Sequence, residues 1–110
     1  MELYHTTDAH GITEICPNEA RMCELIDELD DIDPTEVEHP DVSLIHDRSG
    51  WMLTIHRRNI ISLDKLDQKD EAPRFMRGVN RSRALVLWSL LSKGQINSIT
   101  ELDWQSEDSR

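Results

Sequence analysis

Between residues 42 and 63 apolar side chains recur on alternate positions, and that spacing limits the fold more than any other feature of the chain. Val42 and Leu44 flank Ser43, Trp51, Leu53 and Ile55 follow at intervals of two, and Ile61 and Leu63 close the run. A period of two puts one set of side chains on one face of an extended strand. Asp47-Arg48-Ser49-Gly50 and Asn59 interrupt the run with turn chemistry, because glycine and asparagine accept left-handed backbone. The pattern predicts a three-stranded antiparallel meander over about 42–47, 51–56 and 59–64. One face then carries Val42, Leu44, Trp51, Leu53, Ile55, Ile61 and Leu63, and a sheet apolar on one side needs a cover.

Two helical segments supply it. From Pro17, a residue suited to the first helical position, Met22, Leu25, Ile26 and Leu29 form a stripe, with Glu19, Glu24, Asp27 and Glu28 on the remaining positions. This is an amphipathic helix over about 17–29. A second runs over about 80–93, capped by Asn80 and closed by Gly94. Its buried stripe is Ala84, Leu87, Trp88 and Leu91, widened by Leu85, Val86 and Leu90. Ile96, Ile99 and Leu102 add a short third helix, with Trp104 as an anchor. Near the N-terminus, 2–5 and 11–15 each read as a short strand and can join the sheet. The stretch 64–78 reads as a polar loop pinned by Phe75 and Met76, and 105–110 as a frayed tail. The expected fold class is α+β, an antiparallel meander packed against two main helices. At 110 residues the length suits one domain with one core, 1–110.

Charge divides the chain. The first fifty residues hold 14 carboxylates and 2 arginines, a balance of −12; the rest holds 8 carboxylates and 10 basic side chains, a balance of +2, giving the net −10. Such an imbalance governs what the surface attracts, not the fold. It disfavours nucleic acid as a partner, since the phosphate backbone is repelled at long range. No apolar run approaches the ~20 residues of a membrane-spanning helix, and the start of the chain lacks a basic segment followed by an apolar one. A cytoplasmic location without membrane attachment is expected.

Candidate chemistry is sparse. His5, His10, His39, His46 and His56 show no short ligand spacing; His46 and His56 are expected to approach across the first hairpin. Cys16, before Pro17, is placed to cap a helix N-terminus, where the dipole lowers a thiol pKa, and Cys23 is expected to pack beside Met22 and Ile26. Seven residues apart on one helix, about 10 Å, the two could not form a disulfide. Asp30-Asp31-Ile32-Asp33-Pro34 lacks the ligand alternation and central glycine of a calcium loop. No metal, cofactor or catalytic residue is expected. The clearer features are an acidic face at Glu24, Asp27, Glu28, Asp31 and Asp33, and a cluster of Arg74, Arg77, Arg81 and Arg83 near the second helix N-terminus, a setting that suits an anion.

Gly50-Trp51, Pro73-Arg74, Trp88, Gly94 and Trp104 give the stretch from Asp41 to Trp104 a resemblance to small bacterial α/β domains. In size, acidity and strand–helix make-up the chain also resembles immunity proteins that neutralise bacterial toxins. These features imply a small non-enzymatic protein-binding module meeting a basic protein through residues 19–38. The alternative is an anion-binding or regulatory domain built on the arginines at 74–83.

Overall fold

The computed structural model describes residues 2–33, 35–37, 40–66 and 74–106. Along the chain come β1 (Tyr4–Thr7), β2 (Thr13–Ile15), α1 (Glu19–Glu28), β3 (Asp41–His46), β4 (Trp51–His56) and β5 (Ile60–Lys65). β6 (Arg74–Met76), α2 (Arg81–Ser92), α3 (Ile96–Thr100) and β7 (Gln105–Ser106) follow. Among the described residues the strands form one antiparallel sheet in the order β2-β1-β3-β4-β5-β6-β7. The fold is α+β, with the expected meander at its centre and the N-terminal hairpin joined to the outer side of β3.

Register decides which side chains face the helices. Leu44 lies opposite Leu53, and Leu53 opposite Leu63; Val42, Ile55 and Ile61 make a second row. All six are buried together with Met22, Leu25, Ile26 and Leu29 from the first helix and Ala84, Leu87, Trp88 and Leu91 from the second. Burying a Leu-sized side chain contributes about 1.5–3 kcal/mol, so this double-sided cluster is the main source of stability. Trp88 is the largest buried side chain, and its indole N–H donates to the Leu53 carbonyl at 3.0 Å. The second helix thus packs over the middle of the meander, with α1 beside it and α3 against its far end.

Local rules account for the ends. Asn80 caps α2 as expected, its side chain accepting from the Arg83 N–H at 2.8 Å. Gly94 ends it with φ +75, its N–H reaching the Leu91 carbonyl while that of Gln95 reaches Leu90. This is a Schellman closure, which favours glycine at its left-handed position. Asn59 turns the chain between β4 and β5 with φ 59, beside Arg58 at φ 65.

Several expectations need correction. The first helix begins at Glu19, not Pro17: Asn18 is its cap, accepting from the Arg21 N–H at 2.8 Å, because its side chain can satisfy a free N–H that a proline cannot. Cys16 therefore caps nothing; it sits at φ 48 and its thiol donates to the Tyr4 carbonyl. Within the stretch read as a polar loop, Arg74–Met76 is a strand against β5, too short to show an alternation. Gln105–Ser106 pairs with it, so these two residues are not a loose tail; 107–110 lie outside the described residues.

Candidate functional site

The acidic face is built by the geometry of α1. At 100° per residue, Glu24, Asp27 and Glu28 lie on the side opposite the buried Met22, Leu25 and Ile26. Glu24, Asp27, Asp31 and Asp33 are exposed and Glu28 is half-buried. None of the five is paired with Arg74, Arg77, Arg81 or Arg83 among the described residues. Arg21 approaches two of them, at 3.9 Å from Glu24 and 3.7 Å from Glu28. That guanidinium is already forked onto Glu14 of β2 by three hydrogen bonds of 2.8–3.0 Å, which hold it firmly charged. It therefore offsets the acidic face only weakly. Asp33 accepts from both the hydroxyl and the N–H of Thr35, which lowers its carboxyl pKa, with a smaller contribution from Arg57.

The four arginines serve different places. Arg81 hydrogen-bonds Asp30 at 2.9 Å and the His56 carbonyl at 3.3 Å, tying the end of α1 to the end of β4. Arg77 lies over the Phe75 ring, 5.1 Å from its centroid, on the sheet surface away from the helices. Arg74 stands opposite Leu63, and Arg83 is exposed in the first turn of α2. They share no common partner among the described residues: Arg81 bonds Asp30, Arg77 rests on Phe75 and Arg74 stands opposite Leu63.

The side of the sheet away from the helices holds a feature that the alternation could have revealed. It carries the polar half of each strand: Asp41 and Ser43 of β3, Thr54 and His56 of β4, Ser62 and Asp64 of β5. With Met52, Ile60, Phe75 and Arg77 they line an open depression of about 730 Å³. His56 Nε2 is 2.8 Å from the Ser62 hydroxyl, and its Nδ1 is 3.8 Å from Asp41. A histidine between a hydroxyl and a carboxylate has the order of a general-base relay. Ser62 lies mid-strand between Thr54 and Phe75, where the ladders on both sides engage the main chain. Asp64, opposite Met52, is half-buried, and burial raises its pKa, with His56 partly offsetting that effect. No hydrogen bond or ion pair satisfies it among the described residues.

The remaining titratable groups are dispersed. His46 and His56 stand at opposite ends of the first hairpin and on opposite faces, since Asp41 pairs with His56 and Ile45 with Met52. His46 is buried, with Nδ1 at 2.7 Å from Ser49 and Nε2 at 3.5 Å from Glu2, which also pairs with Arg48. His5 is 2.7 Å from Asp47, His10 is exposed, and His39 lies outside the described residues. Cys23 is exposed rather than packed with Met22, being one residue round the helix from the stripe; Asp27 raises its thiol pKa. Among the described residues no three His, Cys, Asp or Glu side chains are grouped to hold a metal ion, and no helix is long and apolar enough to cross a membrane.

Comparison with protein-family models, curated proteins and solved structures finds no match. The functional reading therefore rests on the two surfaces, the carboxylates of α1 and the helix-free side of the sheet.

Proposed function

We propose that the protein is a small acidic binding module that meets a basic protein through residues 19–38. The observation that carries this reading is the outward face of α1, where Glu24, Asp27 and Glu28 point away from the core and the one arginine near Glu24 and Glu28 is already committed to Glu14. Unneutralised charge on a rigid helix sets up a field that attracts a complementary surface and speeds encounter. An immunity-like inhibitor, covering the basic nucleic-acid site of a toxin, is the specific form of this reading. The arginine alternative has less support, since Arg81 is paired with Asp30 and Arg77 rests on Phe75.

The test is capture of the partner from the native cell by the wild-type chain and by a Glu24→Lys, Glu28→Lys, Asp31→Lys variant with an unchanged circular-dichroism spectrum. The proposal expects one basic protein retained by the wild type and lost by the variant. Equal retention by both would contradict it.

A further inference from the structure

Among the described residues the helices cover one side of the sheet. On the other side no described element packs against β3, β4 and β5, yet the surface there is neither flat nor uniformly polar. Met52 and Phe75 bring apolar groups into the depression, Arg77 lies over the Phe75 ring, and Thr54 in its floor is buried. Asp64 stands beside Met52 at one end, while Asp41 and His56 occupy the other.

Charge decides what such a surface accepts. His56 is engaged by Ser62 and faces Asp41, and Arg77 rests on Phe75. Asp64 is a half-buried carboxylate with no hydrogen bond or ion pair among the described residues, its burial only partly offset by His56. Partial desolvation without a partner costs stability, and a donor brought by another molecule would remove that cost. The field of the whole chain, at net −10, favours a cation there and opposes an anion. Lysine and arginine carry aliphatic stems that lie along apolar surface while the charged head reaches a carboxylate. Met52 and Phe75 offer that surface next to Asp64.

We propose that the helix-free side of the sheet is a second docking surface, for a protein that seats a basic side chain on Asp64 with its stem against Met52 and Phe75. This surface does not depend on α1, which lies in the helix layer. The two could be lost or kept separately.

The probe is the tripeptide Gly-Arg-Gly, titrated to tens of millimolar into the isotope-labelled full chain, with Gly-citrulline-Gly as the uncharged isostere. Amide shift changes are expected on β4, β5 and β6 with the arginine peptide and not with citrulline. Asp64→Asn should weaken them about five-fold, as loss of one ion pair does. Glu24→Lys with Glu28→Lys should leave them unchanged, which separates this surface from the α1 reading. Shifts confined to α1, shifts equal for citrulline, or none at all would overturn the proposal. So would shifts on the same strands that appear on raising the protein concentration alone, which would assign this side to a second copy of the chain.

Discussion

Replacing Trp88 by alanine tests the packing account at its centre. The side chain is fully buried between the second helix and the meander, and its N–H satisfies the Leu53 carbonyl. Truncation removes the packing of the largest core residue and leaves a cavity, a change that costs about 3–5 kcal/mol in well-packed cores. A chain of this length has a total stability of roughly 5–15 kcal/mol, so about a fifth or more of it rests on this one residue. The melting temperature should fall by about 12–40 °C, taking roughly 4–8 °C per kcal/mol for a small domain. Urea unfolding followed by far-ultraviolet circular dichroism is the suitable assay, since the substitution also removes a fluorophore. Trp88→Phe, which keeps most of the apolar area but not the donor, should cost roughly 1–2 kcal/mol. Val86→Ala, at an exposed position of the same helix, should stay within about 0.5 kcal/mol. A loss below about 1 kcal/mol for Trp88→Ala would refute the reasoning, because it would mean that the helix does not depend on the sheet for its burial.

Two further outcomes follow from local chemistry. Asn18→Ala removes the cap of α1 and should cost about 1 kcal/mol in chemical denaturation, whereas Pro17→Ala should cost less if the cap is assigned correctly. Asp64 has a pKa raised by burial, so folding favours its protonated form; that favourable contribution is present below the ordinary carboxylate range and is lost as pH rises through the raised value. At neutral pH the charged group therefore opposes folding, and Asp64→Asn should melt higher than the wild type at pH 7. The gap should close near pH 3, and a variant less stable at pH 7 would show that Asp64 has a stabilising partner.

Much of the fold was legible because period-two alternation and the two helical stripes each require a partner surface, and Val42–Leu63 could find it only in Met22–Leu29 and Ala84–Leu91. Strands too short to carry a period were not legible: Arg74–Met76 takes its conformation from pairing with Ile61–Leu63, a tertiary effect invisible in its own three residues. The helix start was misplaced because Pro17 and Asn18 are both favourable there, and only the Asn18–Arg21 hydrogen bond separates them. The face of α1 could be read by counting residues round a helix. The separate partners of Arg74, Arg77 and Arg81 could not, because they depend on where a strand ends and a helix begins. The depression around His56, Ser62 and Asp64 was present in the sequence as the polar complement of the apolar alternation, Ser43, Thr54, Ser62 and Asp64 standing one residue out of phase with the core. Attention to the apolar half alone hides it.

The central claim is that the α1 carboxylates steer a basic protein, and the association rate as a function of salt tests it most directly. Steering raises association rates by about 10–10³, and raising ionic strength shortens the screening length from ~8 Å at physiological salt to ~3 Å at 1 M. Stopped-flow mixing with the captured partner should show the wild-type rate falling steeply with added salt. The Glu24→Lys, Glu28→Lys variant should start slower and respond less. A wild-type rate that does not change with salt, or two chains that associate equally fast at low salt, would contradict the account.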